Sequence, residues 1–268
     1  MAFPFKAVAF DMDGTFLRDD KTFDRKLFSQ LLDRLLAQDV HVIVASGDQY
    51  ECLLKYFPTR HEQLTFISEN GAHVIDHDRE LMVQTMDPTV VDELIPFMVE
   101  KMDLVPSLSG HQHGYISPNV SASRLKRLQF YFPNHIFIED FKQLPADRFY
   151  QISFVVEPDK LKGQLQTLRS RFGKRLKITP SGNGSVDLTI PGVDKAQALQ
   201  KMLTQWQLTA NDLVAFGDGG NDVTMLKMAR VGWAMRNASA TVKQAADFTA
   251  DEDNNHDAVL HVLQPIYN

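Results

Sequence analysis

The segment Val8-Ala9-Phe10-Asp11-Met12-Asp13-Gly14-Thr15 ends an apolar run in two carboxylates spaced i and i+2, followed by a glycine and a hydroxyl. Residues 8–10 read as a strand buried on both faces of a parallel sheet. Gly14 permits a sharp turn after it. Ligands of open α/β sheets bind outside the carboxyl ends of the strands. Two carboxylates at such an edge repel each other unless a cation lies between them or one holds a proton. Either solution implies chemistry. An Asp-rich turn that merely caps the next element would use the same residue types, and the rest of the chain argues against it.

Three further places carry polar residues at a strand end or a helix start. Residues 42–45 run into Ser46-Gly47-Asp48, Asp194-Lys195 opens a helix, and Ala215-Phe216 runs into Gly217-Asp218-Gly219-Gly220-Asn221-Asp222. Together they supply a nucleophile, a hydroxyl with adjacent backbone amides, a cation and a second acid cluster. A lysine in the first turn of a helix works against the helix dipole. A bound phosphate or an acidic neighbour would resolve that conflict.

The elements that must position these groups follow from hydrophobic periodicity. Strands at 8–10, 40–45 and 64–67 alternate with helices at 23–37 and 50–57, the second stopped by Pro58. Such alternation builds βαβ units and a parallel sheet. The pattern changes at Asp87-Pro88, an N-cap followed by proline at the first helical position. Short strands near 104–108, 113–117, 150–156, 176–179 and 186–190 then mix with helices at 121–132 and 158–172. From Lys195 the βαβ order resumes. The expected fold class is α/β: a Rossmann-like core with a parallel sheet, discontinuous over residues 1–84 and 191–268, and an inserted α+β unit over 85–190.

The four-part constellation resembles the haloacid dehalogenase (HAD) superfamily of phosphohydrolases, in its Cof-like branch with a type IIB cap. Asp11-Met12-Asp13-Gly14-Thr15 matches the first motif of that superfamily and the 217–222 segment its fourth. Ser46-Gly47 and Lys195 fall where its second and third lie. The Asn70-Gly71-Ala72 turn and Met235-Arg236-Asn237-Ala238 add to the match, and the insertion has the position and length of that branch's cap.

The resemblance implies roles. Asp11 is the nucleophile that forms an aspartyl-phosphate. Asp13 protonates the leaving alkoxide and then deprotonates the hydrolytic water. A Mg²⁺ ion sits on Asp11, the backbone carbonyl of Asp13, and Asp218, and removes the repulsion between a carboxylate and a phosphate dianion. Asn221 and Asp222 orient Lys195 and the metal's waters as supporting groups, with Asn221 also on the substrate side. Ser46 and the amides of Gly47 and Met12 hold the phosphoryl oxygens at a helix N-terminus, while Lys195 neutralises charge in the transition state.

Two departures stand out. Asp48 occupies a position where many relatives carry Arg, and is expected to cap the next helix; Ala196 replaces a frequent Gly. In the inserted unit, His111, His113, Tyr115, Arg124, Arg127 and the Ser181-Gly182-Asn183-Gly184 turn are candidate specificity residues. The i, i+3 spacing of Arg124 and Arg127 predicts a water-facing pair. His111 and His113 find no third zinc ligand at a suitable spacing.

The 268 residues suffice for two domains. A net charge of −6, from 28 basic and 34 acidic side chains, argues against an extended nucleic-acid surface. A small anionic substrate stays compatible with it, because a metal and one lysine reverse the field locally. Cys52 is the single cysteine, so no intrachain disulfide forms; with no signal-peptide pattern this points to the cytoplasm. No apolar run reaches the ~18 residues that span a bilayer. The expected function is Mg²⁺-dependent hydrolysis of small phosphate monoesters such as sugar phosphates. The alternatives are a phosphosugar mutase and a non-catalytic sugar-phosphate-binding regulator. Nothing in the sequence fixes the oligomeric state.

Overall fold

The computed structural model describes residues 5–182 and 184–267. In chain order the first elements are β1 (Ala7–Phe10), α1 (Arg25–Leu36), β2 (His41–Ala45), α2 (Tyr50–Leu54), β3 (Thr65–Ser68), β4 (His73–Asp76), β5 (Arg79–Val83) and α3 (Pro88–Pro96). Then come β6 (Ser107–Gly110), β7 (Gly114–Ile116), α4 (Ala122–Tyr131), β8 (His135–Phe137), β9 (Phe149–Val155), α5 (Pro158–Phe172), β10 (Lys177–Gly182) and β11 (Ser185–Thr189). The last third holds α6 (Lys195–Gln205), β12 (Leu213–Gly217), α7 (Val223–Met228), β13 (Val231–Ala234), α8 (Ala240–Ala245), β14 (Phe248–Thr249) and α9 (Ala258–Leu263). The chain divides into two compact units: Met1–Gly47 with Phe57–Met82 and Asp194–Asn268, and Asp48–Tyr56 with Val83–Val193.

The first unit is built on a sheet of order β14-β13-β12-β1-β2-β3-β4-β5. It is parallel from β14 to β3, as the βαβ rhythm predicts, and β4 returns antiparallel to β3. That return is made by a left-handed turn with Asn70 at φ 55° and Gly71 at φ 102°. Phe10 stands in register with Val44 on one side and Phe216 on the other. The three central strands therefore release their chains at one level, at Asp11, Ala45 and Gly217.

Side-chain alternation splits the core of this unit. Ala7, Ala9, Ile43, Ala45 and Ile67 face one way and pack with Ala198, Leu199, Met202 and Leu203 of α6. On the other face Phe10 stacks on Phe16 at 4.3 Å between ring centroids. Phe16, Phe23, Phe28 and Phe57 continue that cluster at 4.8–6.1 Å. Phe16 and Phe23 lie just beyond the two acids, so burying their rings anchors the loop that carries Asp13. The Met12 carbonyl winds the start of that loop by accepting the N–H groups of Phe16 (3.1 Å) and Leu17 (2.8 Å).

The second unit has a sheet of order β10-β11-β9-β6-β7-β8, antiparallel except for the β7–β8 pair. Val91, Leu94 and Ile95 of α3 and Leu165, Leu168 and Phe172 of α5 bury the face formed by Leu108, Ile152, Phe154, Val186 and Leu188. Asp87 caps α3 by accepting the Thr89 N–H, with Pro88 in the first turn, as the Asp-Pro pair predicts. Gln49, just before α2, donates to the Ser109 hydroxyl of β6 at 2.7 Å. The strand expected at 104–108 begins later, at Ser107, because Pro106 has no N–H for a ladder bond. The sequence reading missed β5 and β8; β8 exposes Ile136 and Phe137 and has no alternating burial pattern. Among the described residues no helix is long and apolar enough to cross a membrane.

Candidate active site

Lys195 is the first residue of α6, whose N-cap Asp194 accepts the Gln197 N–H at 2.8 Å. Its side chain is wholly buried. The Nζ donates to Asp11 Oδ1 at 2.5 Å and to Asp222 Oδ1 at 2.7 Å. The acidic neighbours thus resolve the conflict between a lysine and a helix start. Gly71 makes the approach possible: a Cβ there would stand 2.4 Å from the Asp194 carbonyl oxygen.

Asp222 is also fully buried. Its second oxygen accepts the N–H groups of Asp218 (3.1 Å) and Gly219 (2.9 Å), which shapes the loop after β12. Asp218 in turn accepts the Thr15 hydroxyl at 2.7 Å. Gly14, at φ 80°, comes so close that a Cβ would lie 2.5 Å from Asp218 Oδ2. Asn237 donates to the Gly14 carbonyl at 2.8 Å. The loops that follow β1 and β12 are therefore interlocked.

The charges do not balance. Burial pushes the Asp11 carboxyl well above the usual carboxylate range, the Asp222 charge adds to this, and the Lys195 ammonium partly offsets it. Asp218 is pushed up to about 6, chiefly by burial, against the Thr15 hydrogen bond. Burial disfavours the Lys195 ammonium, but Asp11 and Asp222 outweigh it and hold the proton more tightly than on an ordinary lysine. Oxygens of Asp11, Asp218 and Asp222 lie within 4.8 Å of one another. One ammonium cannot neutralise three carboxylates, and hard oxygen donors of this kind suit Mg²⁺. Since Asp222 uses both oxygens on Lys195 and the backbone, Asp11 and Asp218 are the carboxylates this set offers to an ion.

The other predicted site residues fall around this cluster. The Asp13 carboxylate accepts from Lys21 Nζ at 2.7 Å, both side chains about one-third exposed. Met12 is buried, so only its backbone can serve a ligand. Ser46 is buried at the end of β2, and its carbonyl accepts the Asn70 N–H at 3.0 Å. Gly47 lies against the Asn70 amide, where a Cβ would meet Nδ2 at 3.1 Å. Asn221 donates to Asn70 Oδ1 at 3.0 Å. Asn70 thus ties the Ser46-Gly47 loop to the loop after β12.

Several expectations need correction. The residue that bonds Lys195 from the last motif is Asp222, whereas Asn221 donates to Asn70. The helix after Gly47 begins at Tyr50, with extended Gln49 as its N-cap. Ser46 and Gly47 therefore belong to a loop and not to a helix N-terminus, and Asp48 is not the cap. Arg124 does not face water: it is half-buried and donates to the Val105 carbonyl at 2.7 Å. His111 Nδ1 lies 2.6 Å from the Tyr150 hydroxyl and His113 Nδ1 3.1 Å from Asn134 Oδ1. Tyr115 is buried and donates to Asp147 at 2.9 Å. Of the 181–184 turn, Asn183 lies outside the described residues, and Gly184 takes φ 75°. Thr15, Lys21, Asn70 and Asn237 had no assigned role in the sequence reading. Thr15, Asn70 and Asn237 stood inside noted motifs, whereas Lys21 carried no spacing signal.

Residues 8–263 match the family of haloacid dehalogenase-like hydrolases, and the chain belongs to it, in the Cof-like branch. It is 30% identical over 261 residues to YbjI of Escherichia coli K12, a 5-amino-6-(5-phospho-D-ribitylamino)uracil phosphatase, covering 97% of this chain and 96% of that protein. YcsE of Bacillus subtilis 168, a phosphatase of the same name, is 26% identical over 263 residues, covering 96% and 95%. The crystal structure of SMU.1108c from Streptococcus mutans UA159 matches with a TM-score of 0.91 at 36% identity, covering 97% and 98%. The chain is accordingly an enzyme, a phosphoric monoester hydrolase of the HAD type.

Proposed function

We propose that this phosphatase is Mg²⁺-dependent, acts on small sugar or polyol phosphates, and turns over through an aspartyl-phosphate on Asp11. The observation that carries this reading is the buried Lys195 bridging Asp11 and Asp222 beside Asp218. By binding Oδ1, Lys195 fixes the Asp11 carboxylate so that its other oxygen attacks phosphorus. The same ammonium sits where charge builds on the phosphoryl oxygens. The Ser46 hydroxyl and the amides of Gly47 and Met12 hold the non-reacting oxygens. Asp13 in its protonated form gives a proton to the leaving alkoxide, and as the resulting carboxylate takes one from the water that cleaves the acyl phosphate. Asp11, Asp218 and the Asp13 carbonyl would hold Mg²⁺, which when bound neutralises the repulsion between ester and nucleophile.

Leaving-group selection is assigned to the inserted unit. The names of YbjI and YcsE, each with a phosphorylated ribityl chain in its substrate, support placing polyol phosphates first among candidates. The test is phosphate release over a panel of phosphorylated metabolites that includes that ester, with Mg²⁺ and with EDTA. EDTA should abolish release. Asp11→Asn should lower turnover by about a thousandfold or more while leaving the circular dichroism spectrum unchanged. Near-normal hydrolysis of an aryl phosphate by that variant would refute the reading.

A further inference from the structure

A cationic cavity of about 610 Å³ lies in the second unit beside the N-terminal half of α4, lined by Val105, Ser121, Ser123, Arg124, Arg127 and Glu157 among others. Arg124 is half-buried in it. One guanidinium N–H bonds the Val105 carbonyl, while Nε is shut off from solvent and meets no acceptor. Among the described residues no carboxylate pairs with Arg124 or Arg127, and Glu157, the carboxylate of the lining, is exposed and pairs with neither.

A guanidinium keeps its charge in proteins and offers five donors in a planar fork. Withdrawing that charge from water without a counter-ion is costly. Arg127 follows at i+3 and brings a like charge to the same face. No acidic residue stands in the first turn of α4 to offset them. The fold therefore gathers positive charge around a concave space whose one carboxylate, Glu157, is bonded to neither arginine.

We propose that this cavity binds a small oxyanion, the phosphoryl or carboxylate group of a metabolite, with Arg124 and Arg127 as its anchors. The guanidinium N–H groups of Arg124 that Val105 does not take can donate to such a group. All the lining residues lie between Val105 and Glu157, so the site shares no residue with the acid cluster around Asp11. Anion binding there does not depend on the mechanism proposed for that cluster.

The test is an NMR titration of the full-length chain with inorganic phosphate in EDTA, against chloride at equal ionic strength. Amides of residues 119–127 and the Arg124 Nε–H should shift saturably with phosphate and not with chloride. In Arg124→Gln/Arg127→Gln the affinity read at residues 119–127 should fall by at least about tenfold. Arg124→Lys, which keeps the charge and the fold but loses the fork, should give an intermediate loss. Equal responses to phosphate and chloride, no response at 119–127, or an unchanged affinity in both variants would overturn the proposal.

Discussion

Asp218→Asn should stabilise the metal-free protein above pH 6 and remove its stabilisation by Mg²⁺. The Asp218 carboxyl titrates near 6 in the folded chain against an ordinary value of 3.8. Its folded-state pKa is raised, so its contribution to stability is fully present below about 3.8 and is lost as pH rises through about 6. The gap is roughly 2 pH units at ~1.4 kcal/mol each, or roughly 3 kcal/mol. Asparagine has the same shape and can still accept the Thr15 hydroxyl, but carries no charge. Variant and wild type should therefore match near pH 3 and differ by roughly 3 kcal/mol, in favour of the variant, near pH 7.5.

Urea unfolding followed by tryptophan fluorescence reads this directly. Trp206 and Trp233 are the two tryptophans of the chain, and both lie in the first unit with Asp218. Adding Mg²⁺ at a hundred times its dissociation constant should stabilise the wild type by ~2.7 kcal/mol and leave Asp218→Asn unmoved. A difference between the two proteins that is flat from acid to neutral pH would refute the burial argument. Equal stabilisation of both by Mg²⁺ would refute the ligand assignment.

Two further substitutions probe the scaffold. Gly71→Ala forces a Cβ to within 2.4 Å of the Asp194 carbonyl at φ 102°. It should cost roughly 3 kcal/mol and lower kcat by displacing Lys195; wild-type melting and turnover would show that Gly71 does not press on that backbone. Phe16→Ala empties the centre of the aromatic cluster beside Phe10, Phe23, Phe28 and Phe57. A loss of ~3–5 kcal/mol by thermal unfolding is expected, and a loss below about 1 kcal/mol would show that the loop after Asp13 is held by other contacts.

The acid cluster was legible because each of its members follows a continuous apolar run or opens a helix. In a parallel sheet those ends fall on one edge, and the register of Phe10 with Val44 and Phe216 makes that edge level. The lysine set against a helix dipole was a second signal, resolved by Asp11 and Asp222. What periodicity could not supply was the pairing between loops. Whether Asn221 or Asp222 meets Lys195, and that Asn70 joins two loops, depends on turns such as the left-handed Asn70-Gly71 pair. The start of α2 depended likewise on the extended backbone of Gln49. For α4 the pattern itself was uninformative, since none of its residues is buried. Its sequence gave no face from which to place Arg124.

Burial then turns composition into chemistry. Partly exposed ion pairs such as Lys21 with Asp13 are screened by water and cost little to rearrange. Around Asp11 the situation is different, because Lys195 and Asp222 are wholly buried and three carboxylates share one ammonium. A fold keeps that arrangement only if a cation or a proton completes it, which is why the raised carboxyl groups and the proposed Mg²⁺ site are one observation. At α4 the sign is reversed: half-buried Arg124 and exposed Arg127 converge with no carboxylate bonded to either, and the proposed completing charge is an anion. Both places follow from the same rule, that uncompensated charge withdrawn from water marks where a ligand of opposite charge belongs.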